Sequence, residues 1–293
     1  MFARLFTTAF SFLLLATPAL AQELTVGGKN YTEQFLMAEM TTQLLEGHGY
    51  DINKVDGMGS SLLRQGQESG EVDVYWEYTG TSLITYNKVK EKLSSRETYN
   101  RVKELDKAKG IIWLNPSRAN NTYALAMRKS DSADKGISSL SDMAAAYNDG
   151  KKLSMGVNAE FSQRPDGLPG LEEAYGFKTG RANRVPLETG LIYTALNEGE
   201  IDIGLVFSTD GRIAGFNFIV LEDNKEFFPA YALTPVVRRE ILDANPDLEG
   251  LLNDLSSKLD DETMQSLNSR IDIDKETVEE VAASFLKRHN LIN

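Results

Sequence analysis

An α/β fold of two similar lobes is what this sequence predicts, and three observations lead there. Strand, glycine-bearing loop and helix occur in that order twice. Leu24–Val26, the loop 27–32 and the apolar stripe Phe35, Leu36, Met40, Leu44 and Leu45 are followed much later by the apolar run 153–157, the loop 158–170 and a helical stretch around 171–175. A sharper echo is Glu68-Ser69-Gly70-Glu71-Val72-Asp73-Val74 against Asn197-Glu198-Gly199-Glu200-Ile201-Asp202-Ile203. In each copy a glycine suited to the left-handed residue after a helix precedes alternating acidic and apolar residues suited to a strand. Alternation of strand and helix along the chain implies parallel sheets flanked by helices.

The first 21 residues stand apart. Arg4, the apolar run 5–16 and Thr17-Pro18-Ala19-Leu20-Ala21 have the charge, core and small-residue cleavage site of a secretory signal, which predicts a mature chain starting at Gln22. The run is shorter than the roughly 20 residues of a membrane-spanning helix. Export places the chain in an oxidising compartment, yet it has no cysteine, so the fold must rely on its core and no thiol is there for a lipid anchor. The expected product is a soluble, untethered periplasmic protein. With 43 Asp and Glu against 31 Lys and Arg, a formal charge of -12, nucleic acid and anionic membrane are poor partners.

The expected division is residues 1–21 signal, 22–128 first lobe, 129–222 second lobe, and 223–293 a return crossing with C-terminal helices that pack on the first lobe. Apolar strands at 123–127 and 230–237 are the expected crossings. The polar stretch 130–135 reads as the most linker-like segment. Pro246-Asp247-Leu248 opens one helix lined by Leu251, Leu252, Leu255 and Leu259, and 277–286 forms another.

Enzyme signatures are scarce. Without cysteine there is no thiol nucleophile, and His48 and His289 are the only histidines, one beside Gly47 at a helix end and one near the terminus. No catalytic residue, metal site or cofactor is expected. Gly27-Gly28 lacks the rest of a phosphate-binding pattern. Aromatic placement says more. Tyr78 and Phe207 each lie eight residues beyond the repeated glycine, at the ends of corresponding strands, where open α/β sheets bind ligands. Tyr123 and Tyr231 lie on the two crossings. Four aromatic faces across one cleft suit a quaternary ammonium, which cannot donate N–H hydrogen bonds; the alternative is core or hinge packing.

Five segments carry a resemblance: Gly28-Lys29-Asn30-Tyr31-Thr32-Glu33-Gln34, Val74-Tyr75-Trp76-Glu77-Tyr78-Thr79-Gly80-Thr81, Asn121-Thr122-Tyr123-Ala124-Leu125, Phe207-Ser208-Thr209-Asp210-Gly211-Arg212-Ile213 and Phe227-Phe228-Pro229-Ala230-Tyr231. In order along the chain, they resemble the substrate-binding proteins of glycine betaine, carnitine and choline ABC importers. The resemblance implies a type II periplasmic-binding-protein fold that closes on its ligand and hands it to an inner-membrane permease, with a monomer sufficient. It implies Tyr78, Tyr123, Phe207 and Tyr231 as cage walls, and Thr81 and Asn121 as polar neighbours. Lys29, Asn30 and Gln34 are expected partners for a carboxylate or hydroxyl tail, since helix N-termini favour anions. Arg164 is a secondary carboxylate candidate, against an exposed arginine pairing with Asp166. Two positions qualify the ligand. Phe207 stands where relatives often have tyrosine, and threonine at 81, where some choline-selective relatives look acidic, leans toward a zwitterion. The competing readings are a binding protein for an amino acid or other small cation, an extracytoplasmic sensor domain, and a secreted hydrolase.

Overall fold

The structure, a computed structural model, describes residues 23–293; the predicted signal lies outside the described residues. Ten strands form two five-stranded mixed sheets. The first holds β1 (Leu24–Lys29), β2 (Ile52–Met58), β3 (Val74–Tyr78), β4 (Ile111–Trp113) and β10 (Leu233–Arg238), in the order β2-β1-β3-β10-β4. The second holds β5 (Tyr123–Arg128), β6 (Met155–Val157), β7 (Arg184–Pro186), β8 (Ile203–Phe207) and β9 (Phe218–Val220), in the order β7-β6-β8-β5-β9. The orders match strand for strand, and so do the directions. β1, β2 and β3 are parallel as β6, β7 and β8 are, and β10 runs antiparallel beside β3 as β5 does beside β8. The internal echo in the sequence is therefore a repeat of topology, and the fold is the two-lobed type II periplasmic-binding-protein fold.

The two middle strands β3 and β8 are buried at all five positions. Helices cover both faces, so these strands read as continuous runs rather than as alternations. Each is fed by a helix that ends on the repeated glycine. α1 (Thr32–Glu46) follows β1, α2 (Ser60–Ser69) ends on Gly70 with φ 91°, and the helix Thr189–Glu198 ends on Gly199 with φ 83°. A left-handed residue there costs glycine little and any other residue more. The C-terminal helices Asp261–Asp272 and Val278–Arg288 pack against α1. The second starts on a capping box in which Thr277 and Glu280 each satisfy the other's backbone N–H.

Two sequence readings differ from what folds. The expected linker at 130–135 is part of a helix, Lys129–Lys135. Its polar composition hid the helical signals: Asp131 in the first turn bonds both Arg128 and Lys135, and Gly136 closes the end in the left-handed conformation. The strand 123–128, which the expected division assigns to the first lobe, pairs with β8 and β9 in the second sheet. The chain changes sheet before it, around 119–121, and returns around 231–233.

Those two crossing segments are paired with each other. Asn121 N–H donates to the Tyr231 carbonyl at 3.1 Å, Leu233 N–H donates to the Ala119 carbonyl at 3.0 Å, and Asn120 bridges antiparallel to Ala232. The Asn120 side chain also accepts the Tyr231 N–H at 2.6 Å. A two-strand strap of this kind holds the halves in register while leaving few torsions to absorb a rotation.

Candidate functional site

Register carries the four predicted aromatics to one place. Phe207 ends β8 and lies opposite Tyr123, the first residue of antiparallel β5. Tyr78 ends β3 and lies opposite Leu233 of β10, which puts Tyr231 just upstream on the strap. The strand ends converge on a cavity of about 230 Å³ between the sheets. Its lining includes Lys29, Asn30, Tyr78, Thr81, Asn121, Tyr123, Arg164, Phe207 and Tyr231. Of the ten residues predicted from the sequence, Gln34 does not reach the cavity. It lies beneath, where its amide donates to the Tyr78 hydroxyl and to the Trp76 carbonyl, both at 3.0 Å.

The rings form one contiguous array. Tyr123 meets Phe207 with centroids 5.3 Å apart and Tyr231 edge-on at 5.5 Å. Tyr31, which sequence reasoning passed over, stacks within 10° of parallel on Phe207 at 5.3 Å and within 25° on Tyr78 at 6.4 Å. It therefore joins an aromatic of the first sheet to one of the second. Its only signal in the sequence was its place in the loop opening α1. Gly80 makes room for the array: a Cβ there would lie 2.8 Å from the Ala230 carbonyl oxygen and 2.8 Å from the Tyr231 ring.

Two buried cations border the rings, and each already has a carboxylate. Lys29 Nζ donates to Glu77 at 2.5 Å and sits 4.9 Å from the centre of the Tyr78 ring. Arg164 is buried, not exposed. Its fork bonds Asp166 at 2.9 and 2.5 Å, reaches across to the Thr81 hydroxyl at 3.2 Å, and lies 5.3 Å from the Tyr123 ring centre. Burial by itself would lower the pKa of the guanidinium, but Tyr123 and Asp166 hold it well above its ordinary value. Asp166 also accepts the Tyr231 hydroxyl at 2.7 Å.

Glu33, at the start of α1, is a buried carboxylate held by neutral donors. Tyr78 and Thr209 hydroxyls bond it at 2.7 and 2.5 Å, and the Asn121 and Asn268 amides at 2.8 and 3.3 Å. Burial raises its pKa and those four hydrogen bonds oppose the rise. The Glu33 carboxyl group thus sits behind the Tyr78 wall, while the Lys29 ammonium lies against the Tyr78 ring and the Arg164 guanidinium against the Tyr123 ring. Neither histidine faces the cavity: His48 contacts the Leu44 carbonyl at 2.8 Å and His289 packs on the Phe285 ring at 4.5 Å. Among the described residues no group of three or more Asp, Glu or His is placed to hold a metal ion.

Two repeated α/β halves joined by a paired strap, with aromatic and charged side chains facing one cleft, define a solute-binding protein. Residues 22–288 match the family described as the substrate binding domain of the ABC-type glycine betaine transport system, and the chain belongs to that family. A glycine-betaine-binding protein of Pseudomonas aeruginosa is 43% identical over 287 residues, covering 96% of this chain and 92% of the relative. An ergothioneine transport permease and binding protein of Helicobacter pylori is 33% identical over 96% of this chain and 52% of its own length. A crystal structure described as a glycine betaine/carnitine/choline ABC transporter superposes with a TM-score of 0.73 at 28% identity, covering 92% of this chain and all of that one.

Proposed function

We propose that the cavity captures a small betaine, with glycine betaine as the first candidate, and that the protein delivers it as a monomer from the periplasm to a membrane permease without chemical change. The observation that carries this reading is the polarity of the lining. The trimethylammonium head would lie against Tyr78, Tyr123, Phe207 and Tyr231, with Tyr31 as a further wall and Glu33 behind; the carboxylate would face Lys29, Arg164 and Thr81. Aromatic faces favour a methylated cation by about 0.5 to 2 kcal/mol for each good contact. Asp166 occupies the Nε and Nη2 edge of the Arg164 fork, which leaves Nη1 to donate to a ligand carboxylate. A zwitterion brings a carboxylate for Lys29, Arg164 and Thr81 to receive, which choline lacks. That supports betaine over choline. The secretory signal read from residues 1–21 supports a periplasmic location.

Isothermal titration of residues 22–293 against glycine betaine, carnitine, choline, ergothioneine and unmethylated glycine tests the proposal. Micromolar binding of a methylated zwitterion with no heat from glycine is expected. Equal affinity for glycine, or silence across the methylated compounds, would remove the cage reading and favour an amino-acid ligand or a sensor role.

A further inference from the structure

Helix α2 begins at the mouth of the cleft without a cap of its own. Its N-cap residue is Gly59, which has no side-chain acceptor, so the first N–H groups of the helix need partners from elsewhere. Glu160 supplies one from the opposite half. It lies in the loop after β6, in the second sheet's half, whereas α2 leads into β3 of the first. Glu160 Oε1 accepts the backbone N–H of Ser60 at 2.7 Å and Oε2 accepts the Ser60 hydroxyl at 2.9 Å. A Cβ on Gly59 would stand 3.6 Å from Oε1, so the carboxylate packs directly on the helix end. A negative group there also faces the positive end of the helix dipole.

The same loop makes two other cross-cleft bonds, from Arg164 to Thr81 and from the Tyr231 hydroxyl to Asp166. Those two involve residues assigned above to ligand or cage. Glu160 and Ser60 also line the cavity, and Glu160 Oε2 lies 3.9 Å from Arg164 Nη1, but the bond between Glu160 and Ser60 joins the halves with no ligand atom. It is also one-sided: the helix Thr189–Glu198, the counterpart of α2, has Glu188 at its own N-cap and no side-chain cap bond.

We propose that Glu160 is a closure latch: by capping α2 across the cleft it favours the closed arrangement of the halves and slows ligand release. Glu160, which lines the cavity, is a positioning residue here: the proposed effect runs through the contact between the halves. The release arm of the proposal rests on the ligand reading above; the closure arm does not.

The chain has no cysteine, so dyes attached through Ser69→Cys and Glu198→Cys, at exposed positions one in each half, report closure without side labelling. Single-molecule energy transfer on the full mature chain, with and without glycine betaine, is compared for the parent, Glu160→Ala, Glu160→Gln and Ser60→Ala. Glu160→Ala should lower the closed fraction in both conditions and speed dissociation in stopped flow by about tenfold, the scale of a lost N-cap, with the association rate within about twofold of the parent. Glu160→Gln retains an acceptor for the Ser60 N–H and should fall between. Ser60→Ala keeps the main-chain bond and should change release by about twofold. A folded Glu160→Ala protein with the parent's closed fraction overturns the latch. A ligand panel that stays silent overturns the ligand reading alone, since the closed fraction measured without ligand still decides for or against Glu160.

Discussion

Phe207→Leu is the substitution that separates an aromatic cage from an apolar pocket. Phe207 has no side-chain hydrogen bond to lose, and its backbone N–H is held by the Tyr193 hydroxyl at 2.9 Å, so the main chain at the end of β8 stays anchored when the side chain changes. Leucine keeps apolar bulk against Tyr31 and Tyr123 but removes the π face that each ring meets at 5.3 Å. At a water-excluded site the missing cation–π contact is worth about 2 kcal/mol, or roughly a 30-fold rise in Kd for a trimethylammonium ligand. The lost ring–ring contacts act on stability instead, by about 1 kcal/mol, a shift of about 2–4 °C in Tm for a chain of this size. Titration calorimetry with glycine betaine and a thermal melt of the same sample read the two effects separately. A Phe207→Leu protein that binds within twofold of the parent would refute the cage at this wall, whatever its Tm. Phe207→Tyr is the companion variant, since tyrosine retains the face and should bind at least as tightly.

Three further predictions follow from the same geometry. Arg164→Lys removes the planar fork, so affinity for glycine betaine should fall about 10- to 100-fold while any binding of choline, which has no carboxylate, changes little; equal losses for both would place Arg164 in a purely structural role. Gly80→Ala drives a methyl into the Ala230 carbonyl and the Tyr231 ring, and should cost about 1–3 kcal/mol in a denaturant titration together with weaker ligand binding. The buried Asp106 is the acid-sensitive element of the first half. Burial would raise its pKa, but Arg64 bonds it at 2.9 and 2.7 Å, with Asn87 and Trp113 adding to the effect, and it is lowered from 3.8 to about 2. A depressed folded pKa stabilises the fold above pH 4 and loses that contribution as pH falls toward 2. About 2 kcal/mol should disappear across that window in urea midpoints, and Asp106→Asn should flatten the slope there.

Much of the architecture was legible because it is written twice. The glycine after each feeding helix, the acidic and apolar alternation beyond it, and the aromatic eight residues later are local patterns, and local patterns survive in one dimension. They led to two matching lobes and to Tyr78 and Phe207 at equivalent strand ends. Other features were illegible for equally physical reasons. The segment 130–135 read as a linker because its helix is held by ion pairs and a glycine cap rather than by an apolar stripe. Gln34 looked like a ligand partner because it opens a helix, whereas the fold turns its amide under Tyr78.

The sequence by itself determined the repeat, the strand-and-helix order, the scarcity of catalytic groups and most of the residue types that line the cleft, since these depend on neighbours close in the chain. Only the tertiary structure decided how those residues combine. Tyr31 became a wall by stacking on rings from both sheets. Arg164 became a buried cation because Asp166, Thr81 and Tyr123 converge on it. Glu33 came to lie behind Tyr78 with hydroxyl and amide donors rather than a cation around it, and Glu160 came to cap a helix in the other half. Apart from the Arg164–Asp166 pair, each of these contacts joins residues distant in sequence, and their distances and burial exist only once the two halves face each other across the strap.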